Sequence, residues 1–93
     1  MVTLDTSLRI PGNIKCTRVD DDAVLLDTRT NQYFALTEVG ARFWELLSEG
    51  QSLRAAYNSL LAEYLVDSVG LEHDLLELTF RLLENGLVEV VEG

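Results

Sequence analysis

The sequence holds a single cysteine, Cys16, a single histidine, His73, and a single proline, Pro11. One thiol excludes an internal disulfide and any multi-cysteine metal site, and it fits a reducing compartment. Cysteine-based catalysis would need an imidazole beside the thiol, yet Cys16 reads as a small strand hydrophobe and His73 as a solvated residue on the polar side of a helix. The six glycines form no phosphate-cradling loop and no dinucleotide fingerprint. An EF-type calcium loop opening at Asp20 would put Leu25 where glycine is required and Asn31 where a bidentate glutamate is required. Bases are scarce, with 7 Lys and Arg against 16 Asp and Glu, for a net charge of −9. That field repels nucleic acid phosphates, favours basic partners and keeps the surface solvated. No segment approaches the roughly 20 apolar residues of a membrane helix, and the opening MVTLDTSLRI lacks the basic start and apolar run of a signal peptide. The expectation is a cytoplasmic domain without metal, cofactor or catalytic constellation.

What is present fits one folded unit, residues 1–93, with 47% apolar and 25% charged residues. Residues 1–13 form an N-terminal arm that ends at the turn cluster Pro11-Gly12-Asn13. Residues 14–19 and 23–28 alternate about the acidic run Asp20-Asp21-Asp22 and read as a hairpin. After the turn residues 28–31, the third strand, residues 32–36, completes an antiparallel meander with itself on an edge. Thr37 reads as a helix N-cap whose hydroxyl accepts from the first turn, and Val39, Phe43, Leu46 and Leu47 recur at helical spacing after it. Ser52 caps a second helix with the stripe Leu53, Ala56, Tyr57, Leu60 and Tyr64. Asp67 or Ser68 opens a third, which stops at Asn85-Gly86, and residues 87–91 follow as a short strand or wing.

The third helix carries more apolar surface than one core needs. Leu71, Leu75, Leu78 and Leu82 form one stripe, Leu76, Phe80 and Leu83 a second, with Thr79 between them, and at about 100° per residue the two together span roughly 200°. Asp74 borders the first stripe. The reading assigns Leu76, Phe80 and Leu83 to the core and Asp74 and Leu75 to binding. An edge strand beside a spare apolar stripe supplies the parts for adding a peptide as a further strand. The same stripe could instead pack under the arm, or serve a module that dimerises through the same edge. Three helices with flanking strands also match a winged-helix DNA-binding regulator, but the third helix carries Asp67, Glu72, Asp74, Glu77 and Glu84 against Arg81 and His73. It has little with which to contact phosphates.

The stretch VLLDTRTNQYFALTEVGARFWELL (24–47), the later Asp74-Leu75 step and the ending LLENGLV (82–88) resemble PqqD-like proteins, the recognition elements that bind leader peptides of ribosomally made, modified peptides. Within that family the chain is similar to the stand-alone leader-binding proteins of lasso peptide clusters. It departs from the common pattern at Thr37, where many relatives carry Asn, and at Asn31, where the turn commonly bears Gly. The resemblance implies an α+β fold, winged helix-turn-helix-like, with a three-stranded antiparallel sheet packed on three helices. It implies a leader paired antiparallel with Gln32, Tyr33, Phe34, Ala35 and Leu36. The leader's side chains then lie against Leu71, Asp74, Leu75, Leu78, Thr79 and Leu82 of the third helix. The partners it implies are the leader segment of a precursor peptide, a leader peptidase and a macrolactam cyclase.

Overall fold

The computed structural model describes residues 2–91. In chain order the elements are β1 (Leu8–Arg9), β2 (Ile14–Val19), β3 (Asp22–Asp27), β4 (Gln32–Leu36), α1 (Glu38–Ser48), α2 (Leu53–Glu63), α3 (Ser68–Glu84) and β5 (Glu89–Val90). The expected meander is present, an antiparallel sheet in the order β2-β3-β4. Its first turn sets Val19 opposite Asp22, with Asp20 in the left-handed region at φ 56°. Its second is held by Asn31, at φ 59°, whose N–H donates to the Asp27 carbonyl at 2.7 Å. Asn and Asp tolerate this conformation where most side chains do not. The Asp27 carboxylate is buried and accepts from Asn13 Nδ2 at 2.8 Å and from the Arg29 N–H at 2.9 Å. Burial pushes its pKa up, but those hydrogen bonds outweigh it and hold the group below its ordinary value.

Both hairpin partners of β3 can be assigned a direction. The Thr28 N–H donates to the Asn13 carbonyl at 2.9 Å, so by the alternation of an antiparallel ladder the backbone groups of Val24 and Leu26 face β2. Those of Ala23, Leu25 and Asp27 then face β4, opposite Leu36, Phe34 and Gln32. The N–H and C=O groups of Tyr33 and Ala35 are left pointing away from the sheet.

The helices begin and end for identifiable reasons. Ser52 accepts from the Ala55 N–H at 3.1 Å and Asp67 from the Gly70 N–H at 2.8 Å. Thr37 stands at the N-cap of α1, but its hydroxyl makes no capping bond, contrary to expectation. The residue is exposed, so water can satisfy the open N–H groups of that first turn. Gly50 and Gly86, at φ 90° and 71°, end α1 and α3 in left-handed turns. There the Gln51 N–H returns to the Leu46 carbonyl and the Leu87 N–H to the Leu82 carbonyl.

Ala23, Leu25 and Leu36 on the inner face of the sheet meet Phe43, Trp44 and Leu46 of α1, Leu53, Ala56 and Leu60 of α2, and Leu71, Leu75 and Leu82 of α3 in one core. Each fully buried Leu or Phe contributes about 1.5–3 kcal/mol to folding. The arm, which sequence left without structure, is tied down by pairing β1 antiparallel with β5, Leu8 opposite Val90. Leu4 is buried, Arg9 pairs with Glu89 at 2.9 Å and Arg54 with Asp5 at 3.1 Å. Of residues 87–91, Leu87 and Val88 join the core and Glu89–Val90 form the strand. α1 packs on the sheet and on α2, and α3 packs on α2, so α1 and α3 diverge and leave a cleft between them.

Candidate binding groove

That cleft is a groove of about 590 Å³. One wall is Phe34, Ala35 and Leu36 of β4 with Thr37, Val39 and Gly40 at the start of α1. The other is Leu71, Asp74, Leu75, Leu78 and Arg81 of α3, and Val66, Asp67 and Gly70 close one end. β4 is the outer strand, and among the described residues nothing pairs with its free edge. The outward backbone groups of Tyr33 and Ala35 therefore run along the lip of the groove. At the other end Arg81 crosses from α3, its guanidinium carbon 5.7 Å from the centroid of the Phe34 ring.

The angular positions on α3 explain which of its residues reach this groove. Setting Leu71 at zero and taking about 100° per residue, the buried Leu71, Leu82, Leu75 and Thr79 span about 0° to 80°, whereas the groove residues span about −100° to 40°. The two arcs overlap between about 0° and 40°, the sector of Leu71, Leu82 and Leu75; Leu71 and Leu75, 5% and 2% exposed, serve both core and groove floor, while Leu82 belongs to the core alone. Leu78 is half-buried and Asp74 is exposed.

Of the expected site residues, Phe34, Ala35, Leu36, Leu71, Asp74, Leu75 and Leu78 line the groove. Thr79 and Leu82 do not: each is 0% exposed and turned toward the core, and the Thr79 hydroxyl has no hydrogen-bond partner among the described residues. Gln32 and Tyr33 lie outside it too, beside a small crevice with Asn85 and Leu87. Tyr33 points to the open face of the sheet, 71% exposed, and meets the groove only through its backbone. Phe80, expected in the core, is 55% exposed, while Leu76 and Leu83 are half-buried against the core. The inward arc of α3 is centred on Leu75, which leaves Phe80 on the opposite side.

Sequence reasoning passed over Thr37, Val39, Gly40, Val66, Asp67, Gly70 and Arg81 as lining residues. Two of these carried a signal, because Gly40 and Gly70 lie inside helices where glycine is a poor choice.

The short carboxylate–guanidinium pairs among the described residues lie outside the groove. On the side of α1 away from the groove wall, Arg42 binds Glu45 and also Glu63, at 2.9 Å, and Arg18 binds Glu45 at 2.8 Å. The hydrogen bond from Arg42 holds the Glu63 carboxyl below its ordinary value. Cys16 is exposed on β2, and partial desolvation pushes its thiol up, with Glu45 adding to the shift against Arg18.

The profile of the family described as coenzyme PQQ synthesis protein D (PqqD) matches residues 22–88. Curated protein sequences gave no match. Among solved structures the chain is similar to TbiB1 in complex with the TbiA(beta) leader peptide, with a TM-score of 0.83 and 34% identity over 91% of this chain and 99% of that one. It is also similar to a lasso peptide synthetase B1 complexed with the leader peptide, with a TM-score of 0.78 and 30% identity over 89% and 98% of the two chains. The matched span takes in β4, α1 and α3, the three elements that frame the groove, and the chain belongs to the PqqD family.

Proposed function

We propose that the protein binds the leader segment of a ribosomally made precursor of the lasso peptide type and presents it to separate enzymes, a leader peptidase and a macrolactam cyclase. The observation that carries this reading is the coincidence of an unpaired strand edge with an apolar groove. The leader adds antiparallel to β4 and exchanges hydrogen bonds with the backbone of Tyr33 and Ala35. Its alternate side chains enter the groove over Leu36, Leu71, Leu75 and Leu78, between Asp74 and Arg81. Backbone bonds supply affinity with little regard to sequence, and the groove supplies selection. The two similar proteins whose structures include leader peptides support the same reading. The protein's part is binding, and the bond-breaking and bond-making steps belong to its partners.

DNA binding through α3 is disfavoured by its surface, where Glu72, Asp74, Glu77 and Glu84 are all exposed. The test is a titration with a synthetic leader peptide of a lasso-type precursor, with a DNA duplex as control. Saturable peptide binding and none to the duplex is the expected result; the reverse overturns the reading. In the same assay, a leader bearing Lys or Arg associates more slowly as salt rises, because a net charge of −9 attracts it over the roughly 10 Å that 0.1 M salt permits.

A further inference from the structure

Gly40 occupies the third position of α1, and its backbone does not call for glycine. Only Gly50 and Gly86 take the left-handed conformation among the described glycines. Glycine is a poorer helix former than alanine, so its place here runs against local stability. Close packing does not explain it either. A Cβ added at Gly40 would lie 3.5 Å from Leu36 Cδ2 and 3.5 Å from Leu78 Cδ2, ordinary contact distances that the fold accommodates.

What the missing side chain does is leave a gap in the groove. Leu71, Leu75 and Leu82 of the same stripe are buried, whereas Leu78, facing Gly40, stays half-buried. The space lies between Leu36 and Leu78, with Val39 and Leu75 also lining the groove. We propose that Gly40 is a specificity-determining residue: its absent side chain opens a slot about one methyl group wide between Leu36 and Leu78 that receives the tip of one apolar side chain of the bound peptide. The proposal rests on the leader-binding reading and adds to it where the anchor sits and what limits its size. The residues nearest the slot, Leu36, Val39, Leu75 and Leu78, are aliphatic, which favours an apolar side chain there.

The test is calorimetric titration of the parent protein, Gly40→Ala and Gly40→Leu with the synthetic leader peptide, and with versions of it in which each apolar residue in turn is cut to alanine. Gly40→Ala should melt about 2–5 °C above the parent, since it gains helix propensity without a clash. Its affinity for the intact leader should fall about 10-fold, and that of Gly40→Leu about 100-fold, as the slot is filled from the protein side. At one peptide position, and only there, trimming to alanine should remove most of the difference between parent and Gly40→Ala, the signature of two groups sharing one space. Two findings overturn the proposal: both variants binding the intact leader within about twofold of the parent, or an equal loss with every trimmed peptide. A Gly40→Ala protein that melts below the parent shows a steric conflict and overturns it as well. A parent that gives no saturable binding overturns the leader-binding reading itself, an outcome distinct from the others.

Discussion

β2 and β4 flank β3, so each turns one row of backbone groups outward, and among the described residues no strand pairs with either row. Along β2 the side chains include Lys15 and Arg18, both exposed, and Arg18 reaches across to Glu45 of α1 at 2.8 Å. Long cations on an outer strand discourage another chain from pairing with it. β4 carries no charge at all, and the groove between α1 and α3 runs beside it. Both edges offer outward backbone groups, those of Cys16 and Arg18 on β2 and of Tyr33 and Ala35 on β4, while the Ile14 N–H is already taken by the Pro11 carbonyl at 3.2 Å. The edges differ in what stands next to them: a groove lies beside β4, whereas exposed cations stand along β2.

The largest expected effect separates the groove from the core beneath it. Leu75→Ala should cost about 2–5 kcal/mol of stability, because a 2% exposed leucine leaves a cavity. Leu78→Ala, half-exposed to begin with, should melt close to the parent yet lose about 1 kcal/mol or more of leader binding. Thermal melts paired with leader titrations check both; a reversal would mean that Leu78, not Leu75, is the structural residue.

The next effect compares the edges directly. Ala35→Pro removes an outward N–H from β4 and should weaken leader binding by about 0.5–1.5 kcal/mol, the worth of one such bond. Cys16→Pro removes the corresponding outward N–H from β2, a substitution an outer strand tolerates, and should leave leader affinity unchanged. Circular dichroism verifies that both are folded. Equal losses from the two prolines would break the distinction between the edges.

The smallest effect concerns what holds β4 in place. Asp27 has a folded pKa below its unfolded value, so its contribution to stability is present above the ordinary carboxylate range and fades as pH falls through the folded pKa. Asp27→Asn should therefore melt a few degrees lower than the parent at neutral pH, and the two melting curves should converge as the pH drops below about 4. A gap that does not narrow with acid would show that the side chain's shape, not its charge, pins the hairpin.

Much of this was legible along the chain. The turn at Asn31, the caps at Ser52 and Asp67 and the stops at Gly50 and Gly86 are local events, decided by what each residue's own backbone and side chain can do. The uncharged edge strand and the over-wide apolar arc of α3 were visible for the same reason, since period and composition are properties of neighbours in sequence. The pairing of β1 with β5 was not, because each strand is two residues long and its partner lies 80 residues away. Neither was the rotation of α3. Its pattern shows two apolar stripes, but only packing against α2 decides that Thr79 and Leu82 turn inward, that Phe80 turns out, and that Leu78 is left beside Gly40. A sequence determines which faces are able to bury themselves; the divergence of α1 and α3 around α2 determines which face is left without a neighbour, and here that space is the groove.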